Sequence, residues 1–135
     1  MSEFPIIIFH NPACGTSRNV VAMVQAAGYR PTVIDYLQTG WTEGQLRDLA
    51  TAAGLPLRDL LREKGTPAAG LGLLDPGVGD DQIVAAMVAH PILVNRPLVV
   101  TPRGTRLCRP SEAVLALLEN APLLFTKEDG EVVRP

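Results

Sequence analysis

The chain has 135 residues, of which 47% are hydrophobic, and a formal net charge of -2 at pH 7. This length and composition predict one domain, residues 1–135, whose core needs no disulfide. The charge balance gives no basis for binding nucleic acid or an anionic membrane surface, because both partners require a basic surface. The N-terminal apolar run is too short for a membrane span and lacks a basic start, so we expect a cytoplasmic protein with free thiols.

The first part of the chain predicts a strand, a helix and a second strand. Residues 4–9, FPIIIF, form an apolar run typical of a central strand that is buried on both faces. A helix capped by Thr16 or Ser17 is expected to follow and to end at Gly28. The stretch PTVIDY, 31–36, then completes a right-handed βαβ unit with parallel strands.

The middle of the chain predicts helices separated by an irregular loop. Thr42 and Gln45 have the spacing of a capping box at the start of a helix. Residues 65–79 hold five glycines and two prolines, which predicts an irregular and mobile loop. A further helix capped by Asp80 or Asp81 is expected after this loop.

The last part of the chain predicts a hairpin and a final helix. Residues 97–108, PLVVTPRGTRLC, are typical of two strands around a Pro-Arg-Gly turn, and Ser111 is expected to cap the helix that follows. The tail TKEDGEVVRP, 126–135, is charged and is expected to be loosely held. The order βαβ, helices, ββ, α is that of a thioredoxin-like fold in the α/β class.

The hairpin has a geometric consequence for Cys14. If its first strand pairs antiparallel with the first strand of the chain, the hairpin starts beside the loop that carries this cysteine. A turn centred on Arg103 pairs residues whose numbers sum to about 206, which places Arg109 opposite Pro97. Arg96 and Arg109 are therefore expected to converge on the thiol.

Cys14 lies in the stretch HNPACGTSRN, 10–19, between a strand end and a helix N-terminus. Unpaired backbone N–H groups and the helix dipole favour an anion there, either a thiolate or a bound oxyanion. The alternative is a small buried hydrophobe, and we expect this for Cys108, which stands inside an alternating strand. His10 either holds the thiolate by charge or a hydrogen bond, or is a strand-end histidine with a structural partner.

The motif C-G-T-S disfavours several other uses of a cysteine. No second cysteine stands three residues on, so a covalent intermediate at Cys14 needs a thiol from outside the chain. Val20 occupies the position of the arginine in a phosphatase-type anion loop. A Walker lysine and zinc-ligand spacing are both missing from the sequence, so we expect no bound cofactor and no metal.

Together with the segment HPILVNRPLVVTPRGTRLCRPSE, 90–112, the stretch around Cys14 closely resembles the glutaredoxin-dependent arsenate reductases of the ArsC family. The resemblance extends over nearly the whole chain. It implies a thioredoxin-like fold with an inserted helical section. It also implies that arsenate is reduced to arsenite at the expense of glutathione, a co-substrate, while glutaredoxin regenerates the thiol.

The same resemblance implies roles for individual residues. Cys14 corresponds to the nucleophile that attacks arsenic, and His10 and Ser17 to residues that tune it. Pro97 corresponds to a cis-proline, and Cys108 to a non-catalytic position. The oxyanion-binding arginines of the family correspond to Arg62, Arg96 and Arg109.

Two other functions stay open on the sequence. Spx-like regulators share this fold and bind RNA polymerase, but they usually carry C-x-x-C near the N-terminus and lack the full arginine set. Ser17 and the three arginines therefore favour the enzyme. A general glutathione-linked oxidoreductase that acts on protein disulfides is the other alternative.

Overall fold

The computed structural model describes residues 4–120 and 124–134, which fold as two compact units. The first unit combines the chain up to residue 35 with the chain from residue 96 onward, and the second consists of residues 36–95. The second unit is thus an insertion in the sequence of the first, between residues 35 and 96. The resemblance implied such an inserted helical section. None of the helices within the described ranges is long and apolar enough to cross a membrane.

The first unit is built on a four-stranded mixed sheet. Its strands are β1 (Ile7–His10), β2 (Thr32–Asp35), β3 (Leu98–Thr101) and β4 (Gly104–Leu107), in the order β2-β1-β3-β4. Strand β1 pairs parallel with β2 and antiparallel with β3, so its predicted central position is confirmed. The apolar run of the sequence supplies the reason, because Ile8 and Phe9, which point to opposite faces of the sheet, are both buried.

One side of this sheet is covered by helix α1 (Gly15–Ala26) and by a 3₁₀ helix over Ser111–Leu117. The predicted last helix therefore exists, but it begins after Pro110 and winds as a 3₁₀ helix. The core between these elements is apolar and closed to solvent. It includes Ile6, Ile8, Val20, Met23, Val24, Val99, Cys108, Val114, Leu117 and Leu118.

The hairpin β3–β4 pairs one residue away from the predicted register. Leu98 faces Leu107 and Thr101 faces Gly104, which leaves a two-residue turn. The Cys108 backbone N–H donates to the Pro97 carbonyl oxygen at 3.0 Å, so Pro97 is joined to Cys108. The prediction that Arg109 stands opposite Pro97 is therefore wrong, because the turn contains two residues and not three.

The second unit is helical. Thr42 caps helix α3 (Glu43–Ala53) with the predicted capping box: its hydroxyl accepts from the Gln45 backbone N–H at 3.1 Å. Gly54 ends this helix with a φ of +70°, a conformation that glycine adopts without strain. The helices of the unit are α2 (Tyr36–Thr39), α3 (Glu43–Ala53) and α4 (Asp80–Ala89), with 3₁₀ turns at Leu57–Leu60 and Pro91–Leu93.

Residues 65–79 form consecutive turns with no regular element, as predicted. Ala68 and Leu73 are nevertheless buried, so the segment is anchored at two points. Its predicted mobility stays a prediction. The cap of α4 is Gly79, whose N–H donates to the Gln82 side chain at 3.3 Å, and the two aspartates lie in the first turn instead of at the cap.

The tail is not loosely held, contrary to the expectation from its charge. Strands β5 (Phe125–Thr126) and β6 (Val132–Val133) form a hairpin, and Val133 joins the core of the first unit. The Lys127 side chain is only 8% exposed and pairs with Glu112 at 3.0 Å and with Glu131 at 3.4 Å. The charges of the tail therefore bind it to the protein. Residue 135, which the prediction also covered, lies outside the described residues.

Candidate active site

The loop that carries Cys14 is shaped by Asn11. The Asn11 side chain, 1% exposed, accepts a hydrogen bond from the Ala13 backbone N–H at 2.9 Å. The Asn11 backbone carbonyl oxygen accepts from the Cys14 backbone N–H at 3.0 Å. Such Asx turns fold the backbone tightly, and this one turns the chain from the end of β1 into the start of α1.

Helix α1 begins earlier than predicted, because Cys14 itself occupies the N-cap position. The Arg18 backbone N–H donates to the Cys14 carbonyl oxygen at 2.9 Å, which is the first hydrogen bond of the helix. The predicted cap by Thr16 or Ser17 is wrong. Ser17 lies inside the first turn, and its hydroxyl has other partners. The thiol therefore stands at the open N-terminal end of a twelve-residue helix.

Three donors are aimed at the Cys14 sulfur, although the residue is only 8% exposed. Burial raises the pKa of the Cys14 thiol, but hydrogen bonds from the Ser17 backbone N–H and from the guanidinium groups of Arg96 and Arg109 outweigh burial. The net result is a pKa below that of an ordinary thiol. The site is thus built to hold a thiolate.

The two arginines reach the thiol from the start and the end of the β3–β4 hairpin, as the strand pairing predicts. Arg109 Nη1 lies 3.7 Å from Cys14 Sγ and donates to the Arg96 carbonyl oxygen at 2.9 Å. Arg96 is 9% exposed, so one of the two cations is nearly buried beside the sulfur. The peptide bonds before Pro97 and Pro110 are both cis; the resemblance implied only the first.

His10 and Ser17 form a pair beneath the loop. Ser17 is fully buried, and its Oγ lies 2.6 Å from His10 Nδ1 and accepts from the Asn11 backbone N–H at 3.2 Å. The pKa of His10 is lowered by burial and by Arg18, against an opposing effect of Asp35, so the imidazole is neutral at pH 7.

The tautomer of the imidazole sets which group donates in the 2.6 Å hydrogen bond between His10 Nδ1 and Ser17 Oγ. Whether His10 holds the thiolate by charge or by a hydrogen bond stays a prediction. The structure connects the two residues through Ser17, which bonds to His10 with its side chain and to Cys14 with its backbone N–H.

Arg62 belongs to the second unit, two residues after the end of the Leu57–Leu60 turn. Its backbone N–H donates to the Leu93 carbonyl oxygen at 2.7 Å. Its guanidinium donates to the Lys64 carbonyl oxygen at 3.1 Å and to Asn95 Oδ1 at 3.2 Å. Its role as a third oxyanion-binding arginine stays a prediction.

Cys108 is the second free cysteine, and its environment is the opposite of that of Cys14. It is fully buried in the core, and its Sγ–H points to the Arg106 carbonyl oxygen at 3.7 Å. Burial raises the pKa of the Cys108 thiol to about 12, against a smaller lowering by Arg106. The thiol is therefore protonated at neutral pH, and its burial confirms its predicted place in the core.

Sequence reasoning missed three residues that shape the loop: Asn11, Arg18 and Glu128. The Asn-Pro dipeptide at 11–12 is a turn signal, so the part played by Asn11 was detectable. On the sequence, Arg18 is expected to be a solvated surface charge or the partner of a carboxylate; the structure pairs it with the carboxylate of Glu128, 110 positions away, a partner that no local pattern indicates. Within residues 4–120 and 124–134, no three His, Cys, Asp or Glu side chains cluster as metal ligands would.

Comparison with known proteins identifies a single family. The family model of the ArsC family matches residues 9–117. An arsenate reductase of Synechocystis sp. is 57% identical over 134 residues, which are 98% of this chain and 93% of the relative. An arsenate reductase of Escherichia coli K12 is 51% identical over 129 residues, 95% of this chain and 92% of the relative.

Among solved structures, an arsenate reductase from Vibrio cholerae superimposes with a TM-score of 0.82 at 37% sequence identity. The match covers 87% of this chain and 100% of that chain. This chain therefore shares its fold with that arsenate reductase structure.

Proposed function

Because this chain belongs to the ArsC family, we propose that it reduces arsenate to arsenite, with Cys14 as the nucleophile. One observation carries the proposal: a backbone N–H and two guanidinium groups point at a single thiol at the start of a helix. Such donors stabilise a thiolate in the free protein and the oxygens of an oxyanion when one is bound. The nucleophile and the substrate therefore share one set of donors. The names of the relatives supply the identity of the oxyanion.

Arsenate is a tetrahedral anion, and Arg96 and Arg109 are suited to bind it. A guanidinium presents a planar fork of N–H donors that fits two oxygens of such an anion. The backbone N–H groups of the first turn of α1 add further donors. Phosphate fits the same donors, so we attribute selectivity to the reaction of the thiol with arsenic and not to binding.

The first chemical step joins Cys14 to arsenic. The thiolate attacks As(V), a sulfur–arsenic bond forms, and one arsenate oxygen leaves as water after taking up protons. The arginines stabilise the charge on the remaining oxygens. No electron has yet been transferred to arsenic at this stage.

Reduction needs a second thiol, and the chain does not place one beside Cys14. Ser17 stands where a C-x-x-C motif has its second cysteine, and Cys108 is buried with a raised pKa. We therefore propose glutathione as the second thiol. Its sulfur attacks Cys14 Sγ, a disulfide forms, and the electron pair of the broken sulfur–arsenic bond stays on arsenic, which leaves as arsenite. The mixed disulfide is then exchanged with a second glutathione, and glutaredoxin carries out this last step.

The remaining predicted residues act around this centre. Ser17 donates its backbone N–H to the sulfur, and His10 holds Ser17 in place through the hydroxyl. The assignment of Arg62 to the oxyanion rests on the resemblance alone. Dependence on glutathione fits a reducing compartment, so a cytoplasmic location is part of the proposal.

The test measures arsenite production from arsenate with glutathione and glutaredoxin, and with each thiol source left out in turn. We expect turnover only when both are present, because no thiol of the chain resolves the intermediate. Full turnover with thioredoxin alone would contradict the proposed electron donors. Reduction of a disulfide substrate without any arsenite production would favour the general oxidoreductase, and no activity on either substrate would favour a regulator.

A further inference from the structure

The side chain of Arg18 connects the Cys14 loop to the tail of the chain. Its Nε and Nη2 donate to the two carboxylate oxygens of Glu128, at 3.1 Å and 2.6 Å. Its third nitrogen, Nη1, donates to the Pro12 carbonyl oxygen at 2.8 Å. All three nitrogens are therefore used, two on the tail and one on the loop two residues before Cys14. A two-pronged arginine–carboxylate pair fixes orientation as well as distance.

Glu128 is itself held in place. Its backbone N–H donates to Asn19 Oδ1 at 3.1 Å, and Asn19 is buried on α1. Its neighbour Lys127 is nearly buried and ion-paired with Glu112, in the 3₁₀ helix of the first unit. The carboxylate is therefore presented to Arg18 from a fixed part of the backbone.

The carboxylate also lies against the residue that follows Cys14. A Cβ atom on Gly15 would stand 3.0 Å from Glu128 Oε1, a distance that a side chain at this position tolerates only if the carboxylate moves. Glycine at position 15 thus allows Glu128 to lie over the first residue of α1. The Arg18–Glu128 pair borders the loop from both its Pro12 side and its Gly15 side.

We propose that Arg18 and Glu128 are positioning residues that fasten the Cys14 loop to the tail hairpin and keep the thiol in front of its donors. The proposal goes beyond the proposed function, because it concerns the position of the thiol relative to its donors, which affects its reaction with any electrophile. Only its effect on turnover depends on arsenate being the substrate.

This role differs from a contribution to overall stability. The two side chains are 45% and 46% exposed, and exposed ion pairs contribute little to the free energy of unfolding. We expect losing the pair to act mainly on the Cys14 loop. The bonds to Glu128 hold Arg18 in the position from which its Nη1 donates to the Pro12 carbonyl oxygen. Loss of the pair should therefore be seen at the thiol and not in the melting temperature.

The direction of the pKa change separates positioning from charge. The charged groups around Cys14 are Arg96 and Arg109, which contact the sulfur, and Arg18, whose charge interacts with it. If Glu128 acted only by charge, its removal would leave the charge of Arg18 unopposed and would lower the pKa of Cys14. If it positions the loop, its removal weakens the hydrogen bonds to the sulfur and raises the pKa.

The experiment follows alkylation of Cys14 by iodoacetamide as a function of pH, in the full chain, with no arsenate present. In Glu128→Ala we expect the midpoint of the rate profile to rise by about half a pH unit or more, since each half unit is a threefold change in the thiolate equilibrium. Glu128→Gln keeps an oxygen that accepts from Arg18, so its midpoint should lie between those of native protein and Glu128→Ala.

Two further variants test whether Arg18 and Glu128 act together and whether the effect is specific to this ion pair. The double variant Arg18→Ala/Glu128→Ala should raise the midpoint by less than the sum of the shifts in Arg18→Ala and Glu128→Ala, because both changes break the same connection, whereas additive shifts would count against the proposal. Asp81→Ala is the matched control: it removes an exposed ion pair with Arg47, also at 2.6 Å, in the second unit, and should leave the midpoint unchanged.

A midpoint in Glu128→Ala that is unchanged or lower would overturn the proposal, even if the melting temperature falls. Should Glu128→Ala fail to fold, Glu128→Leu, which also removes the acceptors, carries the same test: a higher midpoint supports the positioning role, and an unchanged or lower midpoint overturns it. Labelling needs no arsenate, so failure of this proposal and failure of the proposed reaction are seen in different measurements.

Discussion

The two cysteines of this protein lie in the same unit and are both withdrawn from solvent, yet their surroundings have opposite effects on the thiol. Cys14 has a lowered pKa, because the Ser17 backbone N–H and two guanidinium groups outweigh its burial. Cys108 has a pKa raised to about 12, because burial there is opposed only weakly by Arg106. Burial alone therefore does not distinguish a reactive thiol from an inert one; the donors aimed at the sulfur do.

The difference follows from where each cysteine stands in its element. Cys14 is the N-cap residue of α1, where the backbone N–H groups of the first turn have no partner within the helix. Cys108 follows β4, and its backbone N–H is used by the Pro97 carbonyl oxygen. The fold thus offers donors to one sulfur and an apolar core to the other.

Replacement of each cysteine in turn is the change with the largest expected effect. Cys14→Ser should abolish arsenite production, because a hydroxyl is not ionised at neutral pH and forms no disulfide with glutathione. Cys108→Ala should keep most of the activity and lose about 1 kcal/mol of stability or somewhat more, from the small cavity left in the core. The checks are arsenite production with glutathione and glutaredoxin, and the melting temperature.

An inactive Cys108→Ala that is still folded would contradict the assignment of Cys108 as a core residue, since Cys108 would then take part in the reaction. The melting temperature of Cys14→Ser serves as the control, because it shows that the loss of activity comes from the thiol and not from unfolding.

Conservative replacement of Arg96 and Arg109 tests whether their guanidinium groups make Cys14 differ from Cys108. Arg96→Lys and Arg109→Lys keep the positive charge but lose the planar fork, so each should lower kcat/KM by about tenfold to a hundredfold. We expect the larger loss for Arg96, which is nearly buried, because a lysine ammonium there has fewer ways to reach the sulfur.

The matched control is Arg106→Lys, an exposed arginine on the same hairpin, which should leave the kinetics unchanged. Activity retained in both Arg96→Lys and Arg109→Lys would show that their guanidinium groups are not needed for the reaction, despite their hydrogen bonds to the sulfur.

Much of the first unit could be predicted from the sequence, because the signals are local. The apolar run at 4–9 and the stretch PTVIDY predicted two parallel strands, and the hairpin at 97–108 followed from its turn. The approach of Arg96 and Arg109 to Cys14 then followed from antiparallel pairing, even though the register was wrong by one residue.

What could not be predicted depends on contacts between distant parts of the chain or on competition between partners. Ser17 was expected to cap α1, but its hydroxyl is used by His10, and only the folded loop reveals that competition. The charged tail was expected to be loose. Its charges are instead paired with Arg18 and Glu112, which stand far earlier in the chain.

The most direct test of the account compares iodoacetamide labelling of the two cysteines by mass spectrometry across pH, with and without arsenate. Because the thiolate is the nucleophile, Cys14 should be labelled at least roughly ten times faster than Cys108 at pH 7. The midpoint of its profile should lie below the pKa of an ordinary thiol, about 8.5, and arsenate or sulfate should slow the labelling by occupying the same donors. A midpoint at the ordinary value, or labelling that oxyanions leave unchanged, would contradict the claim that Cys14 is a thiolate held inside an oxyanion site.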